Sequence, residues 1–375
     1  MKNIFINATS CTVGGSKSIL KQLLEEISVS NNIEITYYVF VSNEELDFFK
    51  RKNLKIINVK AKKWIKRLFW DYYGLKKWSK TNGIFANLII SLQNTGVKYS
   101  NEVKQIVYLH TPIPFVNYKW NIFKENERIL WFYKNIYPII IKKSLNSSSI
   151  IVVQSNWLKR IVSDRMKISL KNIKVFVPNI NLNTINQPLI EKISTADNDN
   201  FIFFYPAFEY KYKNHEIIIH ALSLLKSKRP DIYKRIKIVF TLDNSSRIKK
   251  KAKLFQIQEK IDFVGALPKE YVEEYYKKSS AILFPSYIET FGLPLLEAKN
   301  YGKRIIATNE EFSYEILGNY KNVNFIDKFS KNEWANKIIE VVEGYNEFEE
   351  SQNKDIDLKE VQGWREFVNY IENLE

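Results

Sequence analysis

Two carboxylates, Glu289 and Glu297, stand eight positions apart around the segment Thr290-Phe291-Gly292-Leu293-Pro294. The apolar run Ala281-Ile282-Leu283-Phe284 comes just before them. Such a run reads as a buried strand, and in open α/β sheets ligands bind beyond the carboxyl ends of strands. Pro294 suits the first position of a helix through Leu295, Leu296 and Ala298. The backbone N–H groups of Phe291, Gly292 and Leu293 would then face outward at a helix N-terminus, a ready phosphate site. Gly292 would let a ligand approach the backbone closely. Glu297, expected in the first helical turn, would repel phosphate, so its natural task is to accept hydrogen bonds from sugar hydroxyls. Glu289 could face a second polyhydroxylated group. A ligand with phosphates in the middle and a sugar at each end, a nucleotide sugar, fits this pattern. A single glutamate near a helix start would mean only dipole complementarity; two around one glycine turn are more specific.

The elements that must position these residues alternate along the chain. Ile4-Phe5-Ile6 reads as a first strand, followed by a loop with Gly14-Gly15-Ser16 and a helix with Ile19, Leu23 and Leu24 on one face. Further buried strands are expected at 35–41, 88–92, 106–109 and 150–153. A polar linker follows from about 182 to 200. A second series is expected at 201–205, 236–241, 261–264, 281–284 and 305–307. Alternation of this kind implies βα units and mainly parallel sheets. At 375 residues the chain exceeds one ordinary core, which suggests two domains.

Composition excludes several classes. The hydrophobic fraction of 45% argues against disorder. One cysteine, Cys11, leaves no disulfide framework or cysteine zinc site, and three histidines leave little room for a histidine metal centre. The start of the sequence lacks a signal-peptide core, and the stretch 129–141 is interrupted by Lys134 and Asn135. The expectation is a soluble or at most peripheral protein. The net charge of +16 is lopsided: residues 1–200 carry 30 Lys and Arg against 14 Asp and Glu, and residues 201–375 carry 27 against 27. Biased codon usage would act on both halves, so the asymmetry asks for an anionic partner or surface.

Pro285-Ser286, Glu289-Thr-Phe-Gly-Leu-Pro-Leu-Leu-Glu297-Ala, Gly302 and Ile305-Ile-Ala-Thr-Asn309 together resemble the Glu-X7-Glu signature of retaining glycosyltransferases of family 4. That resemblance implies the GT-B fold: α/β, with two Rossmann-like doubly wound domains facing each other across a cleft. It implies an N-terminal acceptor domain over 1–183, a donor domain over 184–359, and a C-terminal helix at about 360–375 crossing back to the first domain, carried by Trp364-Arg-Glu-Phe367. Phe263-Val-Gly265 with Tyr275 or Tyr276 is similar to the segment lining the base pocket, and Lys213-Asn-His215 to the phosphate-binding lysine segment. Where many members have an arginine five positions before that lysine, this chain has Phe208, and Lys211 is the candidate replacement. Gly14-Gly15 resembles the glycine loop that approaches the donor phosphates. Ser155 and Pro178-Asn179 match structural landmarks.

His110 ends the strand Ile106-Val-Tyr-Leu109 before Thr111-Pro112-Ile-Pro114. The family often has a histidine there that contacts the donor sugar; the plainer alternative is a histidine satisfied by backbone in a proline-rich turn. His215 and His220 read as packing or surface residues. The resemblance implies transfer with retention, Lys213 and helix amides stabilising the leaving diphosphate, Glu289 orienting the donor sugar and Glu297 the ribose. Thr290, Phe291, Gly292 and Leu293 complete the donor site. No cofactor and no metal are expected. Expected partners are a nucleotide sugar and a saccharide acceptor, the latter expected in lipid-linked form in bacterial surface polysaccharide assembly. A nucleotide-sugar 2-epimerase of the same fold, a basic nucleic-acid or anionic-surface binding protein, and an inactive homologue are the alternatives. No nucleic-acid motif accompanies the basic half.

That basic half also suggests a place: cytoplasmic, at the inner face of the cell membrane. Lys62-Lys-Trp-Ile-Lys-Arg-Leu-Phe-Trp70 and the segment from Tyr118 through Lys143 mix cations with aromatic residues, as interfacial surfaces do. The competing reading is that Trp64, Leu68 and Tyr72, at helical spacing, pack one face into the core.

Overall fold

The computed structural model describes residues 1–178, apart from 13, 31, 43–45, 47, 48 and 62, together with 201–344 and 362–374. The expected linker, Asn179 and Lys62 lie outside the described residues. The chain divides into two compact units, Met1–Ile180 with Leu358–Glu375, and Asn181–Asp357.

The first unit is built on β1 (Lys2–Asn7), β2 (Ile35–Val41), β3 (Leu54–Asn58), β4 (Leu88–Ser91), β5 (Lys104–Tyr108), β6 (Ser149–Val153) and β7 (Ile173–Val175). Their order is β3-β2-β1-β4-β5-β6-β7, and every neighbouring pair is parallel. Central strands such as Leu-Ile-Ile-Ser of β4 are buried throughout, as strands covered on both faces must be. The helix Gly14–Ser30 buries Ile19, Leu20, Leu23, Leu24 and Ile27. Against it packs the helix Trp364–Asn373, whose Trp364, Phe367, Val368 and Ile371 recur at helical spacing and are all buried. Lys2 Nζ donates to the carbonyls of Ile371, Glu372 and Leu374 at 3.1, 3.1 and 2.6 Å. A cation there satisfies orphan carbonyls and suits the negative end of the helix dipole.

The second unit is built on β8 (Phe201–Tyr205), β9 (Ile236–Phe240), β10 (Ile261–Phe263), β11 (Ala281–Phe284), β12 (Arg304–Thr308) and β13 (Val323–Ile326). Their order is β10-β9-β8-β11-β12-β13, again all parallel. Both units thus have the doubly wound pattern expected from the alternating signals, with strand order reversing between β1 and β4 in one and between β8 and β11 in the other.

Three strands escape the sequence reading: β3, β7 and β13. Each is a sheet edge and only partly buried. An edge strand covered on fewer sides needs no continuous apolar run, so it leaves a weak signal. The segment 64–82 is helical but not uniform: α-helix at Trp64–Phe69, a π-helical turn at Trp70–Gly74, and α-helix again at Leu75–Asn82. No residue of Trp64–Phe69 is buried, and Trp64 and Tyr72 are 47% and 44% exposed. The core-facing alternative for that stretch therefore fails. Residues 128–144 form two helices, Arg128–Asn135 and Tyr137–Ser144, parted at Ile136.

Candidate functional site

In the second unit the loops leaving β8 and β11 lie side by side at the point where strand order reverses, the place where doubly wound sheets bind ligands. After β8 the chain makes a short 3₁₀ turn, Lys211–Lys213, and enters the helix His215–Lys228 through Asn214 at φ 56°. Tyr205 Oη donates to the Lys213 carbonyl at 2.8 Å, and Asn214 Nδ2 to the Lys328 carbonyl at 2.8 Å, fixing that turn from both sides. The Tyr287 amide, from the β11 loop, donates to the Tyr212 carbonyl at 3.0 Å and ties the two loops together. These constraints bring Lys213 Nζ onto Glu289 Oε1 as an ion pair. The two side chains are only 16% and 12% exposed, so solvent screens their attraction weakly. Lys213 also lies over the Tyr212 ring at 5.8 Å.

Past Glu289 and the half-buried Thr290, Gly292 adopts φ 90° and caps the helix Leu293–Asn300. A side chain at that φ would be strained, and a Cβ would crowd Ile316 Cδ1 at 3.2 Å, so the turn requires glycine. Among the described residues the amides of Phe291, Gly292 and Leu293 donate to no acceptor. They are the orphan donors of a helix start, available to an anion as expected. Pro294 is the second helical residue, not the first, and Glu297 the fifth. Glu297 therefore lies in the second turn; the expected first-turn position is corrected because the helix opens at Leu293. Burial raises the Glu297 carboxyl above the usual range, opposed by the Tyr276 hydroxyl, which lies 2.9 Å from Glu297 Oε2 and 3.2 Å from the Pro294 carbonyl.

Gly265 follows β10 at φ 74°, and its amide donates to the Leu242 carbonyl at 3.0 Å. Tyr275 stacks on Phe204 at 5.2 Å, whereas Tyr276 is buried in the wall beside Glu297. Lys211 is exposed at the head of its turn, and Phe208, at the position of the family's arginine, is 61% exposed. His215 is buried against Tyr205 and Phe240, and desolvation lowers it to about 3. His220 packs edge-on to Phe255. Both serve packing, as read from the sequence.

The remaining candidates belong to the first unit. Gly14 and Gly15 are exposed and form the opening residues of the helix Gly14–Ser30, where the sequence suggested a loop preceding a helix. A Cβ added at either would meet nothing within 4 Å. His110, just beyond β5, lines a cavity of about 220 Å³ together with Ser10, Arg67, Asp71, Gln93 and Asn94. Asn94 Oδ1 accepts from the backbone amides of His110 at 2.7 Å and Thr111 at 3.1 Å. Its Nδ2 then faces His110 Nε2 at 3.2 Å as donor, which assigns the proton to Nδ1. Nδ1 is buried without a partner among the described residues, and burial lowers the imidazole to about 4, so it is neutral near pH 7.

Sequence reasoning missed the polar cluster beside His110. Asn7 ends β1, Gln93 and Asn94 follow β4, and Asp71 is set on the π-helical turn. The available signals were polar residues at the ends of two apolar strands, and the fact that Asp71 is the only acid between Asp47 and Glu102.

Comparison with known proteins bears on both units. Residues 186–356 match the family model described as Glycosyl transferases group 1. A D-inositol 3-phosphate glycosyltransferase of Pseudarthrobacter chlorophenolicus is 31% identical over 101 residues, 26% of this chain and 24% of that protein. The aligned stretches span between 24% and 41% of the length of the curated relatives. Among solved structures, a Rickettsia africae glycosyltransferase superposes with TM-score 0.61 at 18% identity, covering 92% of this chain and 88% of that one. The Anabaena protein HepE, solved with UDP, superposes with TM-score 0.67 at 13% identity over the full length of both chains. The two parallel sheets and these neighbours show the GT-B fold.

Proposed function

We propose that this chain is a retaining glycosyltransferase, moving a sugar from a nucleotide-sugar donor to a saccharide acceptor without a metal. The observation that carries this reading is the switch point of the second unit, where Lys213 from the loop after β8 meets Glu289, three amides unpaired among the described residues and Glu297 from the loop and helix after β11. A donor diphosphate, bearing more charge than one carboxylate, would draw Lys213 from Glu289 and take the amides of Phe291, Gly292 and Leu293. Glu289, released, would accept hydroxyls of the donor sugar, and Glu297 those of the ribose. Preorganised cations and amides of this kind stabilise the charge of a departing phosphate without reorganising in the transition state. His110, neutral and holding its proton on Nδ1, would have a donor to offer a sugar hydroxyl.

The test is thermal stabilisation by UDP, GDP, dTDP and ADP in turn, followed by product analysis with the nucleotide sugar that stabilises most. A midpoint that moves with none of the four would sink the reading. Isomerised sugar nucleotide formed from donor alone would instead identify a 2-epimerase.

A second observation supports peripheral binding at an anionic membrane and a lipid-linked acceptor of bacterial surface polysaccharide assembly. Ile65, Phe69, Tyr73, Phe123, Ile129 and Ile139 of the first unit are each more than half exposed. Lys63 and Lys66 are exposed beside the first three, and Arg128 beside Ile129. The rings of Trp64 and Phe132 meet edge-on at 6.3 Å, joining the two segments into one face. Aromatic and cationic side chains together favour the headgroup region. No helix among the described residues is long and apolar enough to cross a membrane. Sedimentation with phosphatidylglycerol vesicles at rising salt checks this; equal binding to neutral vesicles would overturn it.

A further inference from the structure

The cavity of the first unit sits where its own strand order reverses, between the loops after β1 and β4. Its polar wall has a definite construction. Asn7 Nδ2 and Gln93 Nε2 donate to the same oxygen of Asp71, Oδ1, at 2.8 and 2.6 Å. Gln93 is itself oriented by Thr9 Oγ1, which donates to Gln93 Oε1 at 2.9 Å, so its amide presents nitrogen to the carboxylate. No hydrogen bond among the described residues reaches Asp71 Oδ2. Asp71 lines the cavity, so this oxygen is left for a ligand or solvent there.

The backbone is also shaped for this residue. A π-helical turn inserts an extra residue into the helix at Trp70–Gly74, a device found most often at functional sites. Gly74 permits it, because a Cβ there would lie 2.5 Å from Trp70 Cε3. The turn buries Trp70 and Asp71 while Phe69, Tyr72 and Tyr73 stay outside. Around Asp71 the cavity offers the Arg67 guanidinium, which makes no hydrogen bond or ion pair among the described residues, and aromatic walls from Trp64, Phe132, Tyr133 and Tyr137. A carboxylate oxygen, amides and aromatic faces are the chemistry that holds a sugar ring; a free guanidinium adds a place for an anionic substituent. About 220 Å³ suits one ring and falls below the volume of pockets for larger ligands.

Building on the glycosyltransferase reading, we propose that Asp71 is the specificity-determining residue of an acceptor subsite in this cavity, its Oδ2 accepting from hydroxyls of a single sugar ring and Arg67 meeting a phosphate borne by that ring. Burial pushes the Asp71 carboxyl up to about 7, so ring hydroxyls would replace the solvation it lacks.

The experiment is ligand-observed NMR on the full chain with two panels, methyl hexopyranosides and hexose phosphates, on wild type, Asp71→Asn and Arg67→Ala. Asp71→Asn is expected to weaken both panels roughly 10- to 100-fold, and Arg67→Ala only the phosphates. In turnover assays Asp71→Asn should raise KM for the acceptor more than it lowers kcat. Unchanged affinity of folded Asp71→Asn for both panels overturns the proposal. Should that variant not fold, the Asp71 carboxyl-carbon resonance in wild type is followed during titration; a resonance that stays still also overturns it. Nucleotide-induced stabilisation is scored separately. Its absence would remove the glycosyltransferase reading, while sugar binding lost with Asp71 would still stand as a ligand site.

Discussion

Each unit of this protein reverses strand order once, between β1 and β4 in the first and between β8 and β11 in the second, and the two reversal points are furnished in opposite ways. In the second, a sheltered ion pair stands beside three unpaired amides and a helix start. In the first, a carboxylate is held by neutral amides, with a neutral imidazole nearby. The same fold geometry therefore gathers a cation and open amides at one reversal point, and amide dipoles around a carboxylate at the other. What differs is the side chains at the strand ends. Lys213 and open N–H groups concentrate positive charge, whereas Asn7, Gln93 and Asn94 bring neutral dipoles beside Asp71 and Arg67.

This contrast can be broken from either side. The largest effect should come from Lys213→Ala, which removes the side-chain cation of the charged site. A loss of about 10²–10³ in kcat is expected, as for deletion of one charge-stabilising donor, and steady-state rates would measure it. A rate within twofold of wild type would mean that the pair is structural. Glu289→Ala should also act mainly on turnover.

Glu297→Ala should act on binding, weakening nucleotide affinity roughly 10- to 100-fold by calorimetry, with kcat much less affected. Loss of turnover at unchanged affinity would exchange the roles given to the two glutamates.

The site of the first unit makes a pH prediction. The Asp71 pKa rises from 3.8 to about 7 on folding, so the folded state keeps a proton that the unfolded state has released. That contribution is whole below about 3.8 and is lost as pH rises through about 7. Arg67 and Tyr137 interact with it electrostatically, and His110 and Tyr133 line the same cavity. Removing this titration with Asp71→Asn should leave a variant that loses less stability between pH 5 and 8, by roughly 2–4 °C in Tm. Parallel Tm profiles for the two proteins would contradict it.

Charge reversal at Lys63 and Lys66 should cost vesicle binding about 1 kcal/mol each, read from partition at low salt. The smallest effect expected is from EDTA, which should leave activity intact because charge stabilisation is assigned to Lys213 and backbone amides. Loss with EDTA, restored by a divalent cation, would refute that assignment.

How much of this was legible in the letters depends on how local each feature is. The run Ala281–Phe284, the glycine turn at Gly292 and the helix after it are short-range patterns, and all three stand where the sequence placed them. Buried central strands announced themselves because both faces demand apolar residues; edge strands β3, β7 and β13 did not. Glu297 slipped by one residue, into the second turn, because proline tolerates the second helical position as well as the first.

Sequence alone determined the two alternating series, the charge asymmetry and the strand, glycine turn and helix of the stretch that carries Glu289 and Glu297. Tertiary structure decided everything that needs partners distant in the chain. Lys213 meets Glu289 across 76 positions, and Asn7, Asp71 and Gln93 meet across 64 and 22. Parallel sheets bring such residues together only through crossovers, so no local spacing encodes the encounter. Whether a lone aspartate on a helix points to solvent or into a cavity is set by one π-helical turn, and that turn is fixed by the burial of Trp70 over Gly74.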